Sequence, residues 1–150
     1  MKKFRFPLRS VATVRSLAEL RAREAFSKAV QVFVEAEQHL RAIRDRIRQF
    51  QEILLSDRGN AFRAGDQVSF LNALKQETIN ATKAEAEVAK ARTALEAARQ
   101  AWLEARRDVR VIENLETKAK QAYLHEVERE NQLAMDDRAS ALAARHAKAS

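Results

Sequence analysis

Histidine is the residue in this sequence that most readily suggests a metal site. The three histidines, His39, His125 and His146, lie far apart along the chain, and no His-Glu-x-x-His motif occurs. There is no cysteine, so the sequence contains neither a disulfide framework nor a cysteine-based metal site. Surface histidines on helices are the simpler interpretation, and the sequence predicts no metal ligand.

Carboxylates are the second group that could do chemistry. A late acidic run invites comparison with catalytic pairs; it comprises Glu126, Glu128, Glu130, Asp136 and Asp137. Catalytic carboxylates need a concave, partly desolvated site, which a long helical rod does not offer. The two glycines, Gly59 and Gly65, lack the Lys-Ser/Thr that follows a phosphate-binding loop. We therefore expect a solvated acidic face, no catalytic or cofactor-binding residue, and no enzyme.

Basic residues raise the question of nucleic acid. The formal net charge is +7, and four arginines lie within two helical turns, Arg41, Arg44, Arg46 and Arg48. Such a cluster can bind phosphates, but these arginines spread around the helix and no aromatic stacking platform accompanies them. Docking to an acidic protein or an anionic membrane surface is equally available physically.

Composition indicates which elements position these side chains. Two glycines, one proline and 33% charged residues are typical of long helices or coiled coil. Both glycines fall between Ser56 and Asp66, so the sequence predicts one all-α domain over 1–150, an antiparallel coiled-coil hairpin. Its parts are a helix over about 7–57 with Pro7 in its first turn, a turn over about 58–65, and a longer helix over about 66–146 that Asp66 or Ser69 begins.

Heptad spacing predicts the buried seam of each helix. The first seam carries one extra residue near Ala36 and runs through Leu8, Val11, Ala18, Ala22, Ala25, Ala29, Val32, Ala36, Leu40, Ile43, Ile47, Phe50 and Leu54. The second is regular through Ala81, Ala84, Val88, Ala91, Leu95, Ala98, Trp102, Ala105, Val109 and Ile112. Beyond Ile112 it shifts to Leu115, Ala119, Ala122 or Tyr123, and Val127.

The turn sets the register between the two helices. A turn near residue 61 pairs positions whose numbers add to roughly 122, which places Trp102 near Ala18 and Ala22 and Leu95 near Ala25 and Ala29. Basic residues near the start of the chain then face the segment 108–116. About thirty C-terminal residues should project beyond the first helix. A parallel dimer of two chains fits the glycine-bearing break less well, and a dimer of hairpins stays open.

Some apolar residues lie off the predicted seams, and they are Val30, Phe33, Val34, Phe62 and Phe70. In a two-helix rod such side chains stay exposed unless something covers them. A binding partner, a wider seam and dimerisation of hairpins are all open explanations.

Two stretches resemble a known family. The opening Phe6-x-Leu8-x-x-Val11-x-x-Val14-Arg15, continuing through Arg23-Glu24-Ala25, and the late pattern Ile112-Glu113-x-Leu115-Glu116 with Tyr123, Glu126, Glu130 and Asp136-Asp137-x-Ala139, resemble the FliJ proteins. These belong to the bacterial flagellar type III export apparatus and are related to YscO-type secretion stalk proteins. The resemblance covers nearly the whole chain, although this sequence has alanine where the family often has Gln, Lys or Leu.

The resemblance implies a stalk protein with two partners. The end that carries both termini would enter the hexameric export ATPase (FliI-like), with Arg5, Arg9, Arg15, Tyr123, Glu126, Glu130 and Arg138 as candidate contacts. A face nearer the turn would bind the cytoplasmic domain of the export gate (FlhA-like), with Ile43, Phe50, Phe70 and Leu74 as candidates. It also implies recycling of export chaperones and a cytoplasmic location at the inner face of the cell membrane.

The sequence leaves two other functions open. A general coiled-coil scaffold or chaperone would clasp client proteins through exposed apolar residues. A basic coiled coil that binds nucleic acid would show a steep dependence of affinity on salt. Neither the sequence nor the resemblance predicts a cofactor or a small-molecule substrate.

Overall fold

The structure is a computed structural model that describes residues 3–56 and 64–149. Helix α1 spans Arg9–Ser56 and helix α2 spans Ala64–Ala149, and the described residues contain no strand. Contacts join the two helices in antiparallel order, as in a hairpin, and α2 is the longer helix. The predicted all-α class is confirmed.

Helix α1 begins two residues after the predicted start. The Arg9 amide donates a hydrogen bond of 3.2 Å to the Phe6 carbonyl, which closes a turn over Pro7 and Leu8. The first helical hydrogen bond runs from the Ala12 amide to the Leu8 carbonyl at 2.8 Å. Proline suits this turn because its φ is fixed near the helical value and it has no amide hydrogen to satisfy. Pro7 therefore lies in the turn just before α1 and not in the first turn of the helix, where the sequence placed it.

Helix α2 begins at Ala64, inside the segment of about 58–65 that was predicted to form the turn. Gly65 lies inside its first turn, and no described glycine has a positive φ. Gly65 therefore does not belong to the turn, where the sequence placed it. Gly59 and Phe62 lie outside the described residues. Asp66 is also inside the first turn of α2, where a carboxylate interacts favourably with the helix dipole.

The chain divides into two compact units, each containing part of both helices. Unit 1 comprises residues 1–19 and 105–150, and unit 2 comprises Leu20–Glu104. The described core lies mainly in unit 2, where Leu40 and Ile43 of α1 pack with Ala81, Ala84 and Val88 of α2. Large side chains on one helix meeting alanines on the other let the two backbones approach closely while the core stays filled.

The seam of α1 in unit 2 is an unbroken heptad. Its buried and half-buried residues are Ala22, Phe26, Ala29, Phe33, Ala36, Leu40, Ile43, Ile47, Phe50 and Leu54. Five predicted members are exposed: Leu8, Val11 and Ala18, which lie in unit 1, and Ala25 and Val32, which lie in unit 2. Phe26 and Phe33 occupy the seam in place of Ala25 and Val32, so the seam keeps its seven-residue repeat through Ala36. The prediction of one extra residue near Ala36 is therefore wrong.

The seam of α2 follows the prediction as far as Ile112. Each residue predicted from Ala81 to Ile112 is buried or half-buried. Beyond it the heptad continues through Glu116, Ala119 and Tyr123, whereas Leu115 is 42% exposed. The predicted shift to Leu115 is wrong, since Glu116, which is paired with Arg9, occupies the heptad position instead.

Candidate partner-binding surfaces

Two ion pairs join α1 to α2 in unit 1. Arg9 bonds to Glu116, and Arg15 Nη1 lies 3.2 Å from Asp108 Oδ2. The predicted approach of basic residues to the segment 108–116 is confirmed for these two arginines. Exposed pairs of this kind contribute at most about 1 kcal/mol each, so they align the helices more than they stabilise them.

An aromatic contact joins the segment before α1 to helix α2. The rings of Phe4 and Tyr123 lie 5.5 Å apart between centroids, and Phe6 is 7% exposed. The Arg9 guanidinium also sits 6.0 Å from the centroid of the Phe6 ring. The ring of Tyr123, which was predicted as a contact for the ATPase, therefore packs against Phe4 of the same chain. Phe4 and Phe6 were not among the predicted site residues.

Beyond Tyr123, almost all side chains of helix α2 are exposed to solvent. Val127 is half-buried, and every residue from 128 to 149 is exposed. We call residues 128–149 the C-terminal extension. Three predicted contacts, Glu126, Glu130 and Arg138, are exposed in or next to it, and Arg5 is exposed at the start of the chain. Unit 1 thus brings the seven predicted ATPase contacts into one body, with two of them engaged in the ion pairs described above.

The four residues predicted to face the export gate lie in unit 2 on the seam. Ile43 is 1% exposed and belongs to the core. The rings of Phe50 and Phe70 meet edge to face at 5.1 Å, and both residues are half-buried, as is Leu74. Phe50, Phe70 and Leu74 are thus partly accessible to solvent, whereas Ile43 is buried in the core.

A second aromatic pair lies further along unit 2. The rings of Phe26 and Trp102 stack at 5.5 Å with 9° between their planes. The sequence placed Trp102 against alanines, and Phe26 was missed because Ala25 continued the apparent alanine stripe. The signal that could have found it is the seven-residue spacing from Phe26 to Phe33, the two aromatic residues of this part of α1.

Most arginines of the candidate phosphate-binding cluster are paired with carboxylates. Arg44 Nη2 lies 3.1 Å from Glu85 Oε1, and Arg48 Nη2 lies 2.7 Å from Asp45 Oδ1. Arg46 Nη2 lies 3.5 Å from an oxygen of Glu77, a side chain that is only 20% exposed. Paired guanidinium groups attract phosphates less strongly, so this surface is less suited to nucleic acid than the sequence suggested.

Histidines and carboxylates do not converge on a metal site within the described residues, where no group of three His, Cys, Asp or Glu side chains could hold an ion. Neither described helix contains a segment that is both long and apolar enough to cross a membrane.

A comparison with known families gives a match over most of the chain. A family model described as "Flagellar FliJ protein" matches residues 4–148, which is nearly the whole chain. No curated protein and no solved structure gives a match.

Proposed function

The chain belongs to the FliJ family of flagellar type III export components, and we propose on this premise that it is a stalk that couples the export ATPase to the export gate. The family is non-enzymatic, so its contribution is binding and positioning of other proteins. The proposed site of work is the cytoplasmic side of the export apparatus, at the inner face of the cell membrane.

The observation that carries the proposal is the exposure of the C-terminal extension. The side chains of residues 128–145 are exposed on every side of the helix, so none of them is buried against the described part of α1. Isolated helices are marginal in water, so a partner that surrounds the extension would stabilise it. The central pore of a ring-shaped ATPase is such a partner. The charged side chains of the extension would then meet complementary charges on the ring.

The first experiment tests binding to the ATPase hexamer. Hydrolysis by the FliI-like ATPase is measured at increasing concentrations of this protein, with the double variant Glu126→Lys/Glu130→Lys beside it. Both glutamates are exposed, so the helices should be retained while binding weakens. We expect the wild-type protein to raise turnover or hexamer formation and the variant to need roughly tenfold higher concentration, because two charges are reversed.

The matched control is Glu24→Lys/Glu87→Lys, which makes the same charge change at exposed positions of unit 2. The control should behave as the wild type. Equal loss in both variants would mean that net charge, and not the extension, governs binding. Absence of any effect of the wild-type protein on the ATPase would refute the proposal.

The proposed gate contact uses the outer edges of Phe50, Phe70 and Leu74. Leu74→Asp should weaken binding to the cytoplasmic domain of the FlhA-like gate by more than tenfold, since burying an unpaired carboxylate at an interface is costly. Val34→Asp is the control, because Val34 is exposed on another part of unit 2. Circular dichroism of both variants separates loss of binding from loss of helix. Equal binding by the two variants would exclude this surface.

A general scaffold or chaperone for clients makes a different prediction. Such a protein would bind unrelated unfolded proteins as well as it binds the ATPase, and the Glu126→Lys/Glu130→Lys variant would retain that binding.

A further inference from the structure

Unit 1 carries an exposed apolar patch on one flank of its two helices. Val11 and Val14 of α1 are 38% and 64% exposed, and Val111 and Leu115 of α2 are 54% and 42% exposed. Val11 lies one helical turn from Arg15, and Val111 lies one turn from Asp108. The Arg15–Asp108 pair therefore marks the side of the unit on which the patch lies.

The ion pairs of unit 1 show how the two halves of the patch are aligned. The residue numbers of Arg15 and Asp108 add to 123, and those of Arg9 and Glu116 add to 125. In this register the midpoint between Val11 and Val14 lies level, within about two residues, with the midpoint between Val111 and Leu115. The patch thus has a single centre.

We propose that this patch binds a second copy of the chain about a two-fold axis through that centre. The axis would bring Val11 against Val14 of the second copy and Val111 against Leu115 of the second copy. A symmetric interface of this kind uses the same surface on both partners, so the patch must be complementary to itself. It would join four helices around an apolar centre, an arrangement that buries apolar stripes such as these.

Charge complementarity favours a second copy over an unrelated partner, even though Oδ2 of Asp108 already pairs with Arg15 of its own chain. The two-fold axis pairs each position of α2 with the position of the second copy that gives the same sum as 111 and 115. Position 108 of one copy is therefore level with position 118 of the other. Asp108 would therefore lie level with Lys118 of the second copy, and the reciprocal pair would form on the other side. One axis matches both the apolar residues and these charges. The inference uses only residues of unit 1 and does not depend on the proposed role in export.

The first test measures the mass of the full chain by sedimentation velocity up to a concentration of about 100 µM, a range that detects micromolar dimers. We expect a dimer whose dissociation constant rises more than tenfold in Leu115→Asp, since each substitution enters the interface twice. Leu71→Asp is the matched control, because Leu71 has a similar exposure of 46% but lies in unit 2. A monomer at every concentration, or equal weakening by the two variants, would overturn the proposal.

The second test uses the absence of cysteine in the chain. The double variant Val111→Cys/Leu115→Cys should form a covalent dimer under mild oxidation, because the axis places each new thiol opposite one of the other copy. Leu71→Cys/Lys75→Cys, with the same spacing in unit 2, should cross-link at least about tenfold more slowly, at the rate of random collisions. Equal rates for the two variants would refute the two-fold arrangement even if a dimer exists.

Discussion

The unbroken heptad of α1 makes a sharp prediction about two adjacent residues. An interrupted seam would bury Val32, whereas the structure packs Phe33 against the core and leaves Val32 56% exposed. The substitutions Phe33→Ala and Val32→Ala therefore separate the two arrangements. Both replace an apolar side chain by alanine, which is the best helix former, so neither disturbs the helix itself.

The expected magnitudes follow from burial. A fully buried phenylalanine costs about 3–5 kcal/mol when it is replaced by alanine. Phe33 is half-buried, and the Arg92 guanidinium covers its ring at 5.7 Å. We expect Phe33→Ala to lower the free energy of unfolding by about 2 kcal/mol, including a cation–π contribution of about 0.5–1 kcal/mol. Val32→Ala should change it by less than about 0.5 kcal/mol.

Urea denaturation followed by far-UV circular dichroism measures both changes. The midpoint should fall clearly for Phe33→Ala and stay within error for Val32→Ala, and the corresponding loss in melting temperature for Phe33→Ala is roughly 4–8 °C. Arg92→Gln, which removes the covering charge but keeps the ring, should show only a small part of the loss. A greater loss for Val32→Ala than for Phe33→Ala would refute the unbroken seam.

Three further predictions concern the packing of unit 2. Ile43→Ala should cost about 2–4 kcal/mol of unfolding free energy because Ile43 is 1% exposed, whereas Leu55→Ala at 63% exposure should cost little; urea denaturation compares the two. Glu77→Leu should be neutral or stabilising by the same measurement, because the buried Oε2 of Glu77 makes no hydrogen bond in the described structure and only a long ion pair of 3.5 Å with the exposed Arg46; no gain is expected from Glu77→Gln. Phe26→Ala should expose the ring of Trp102, which shifts its fluorescence emission to longer wavelength; an unchanged spectrum would contradict the stacked pair.

The sequence predicted the two helices and the α2 seam because both depend on local spacing. Glycine and proline are nearly absent, so few interruptions compete with helix, and apolar residues recur every three or four positions from Ala81 to Ile112. The bounds were less accurate, as the positions of Pro7 and Gly65 show. These residues permit a helix end but do not fix it, because the adjoining hydrogen bonds decide where regular helix begins.

The α1 seam could not be predicted from spacing alone because two adjacent stripes are almost equally regular. Ala18, Ala25 and Val32 form one, and Glu19, Phe26 and Phe33 form the other, one residue further along. The choice between the stripes depends on helix α2. There Trp102 stacks on the ring of Phe26 and Arg92 lies over the ring of Phe33, and alanine could make neither contact. Packing against α2 thus decides what the periodicity of α1 leaves open.

The partner surfaces depend on a further property that spacing does not reveal, the uneven distribution of burial between the two units. Among the described residues of unit 1, only Phe6 is buried, and the seam includes Glu19 and Glu116. Unit 2 contains the other six buried residues. Since local opening costs less where few apolar contacts are lost, unit 1 should separate its helices more readily than unit 2. The proposed ATPase contacts and the proposed two-fold patch both lie in unit 1, where a bound partner would supply burial that the chain itself lacks.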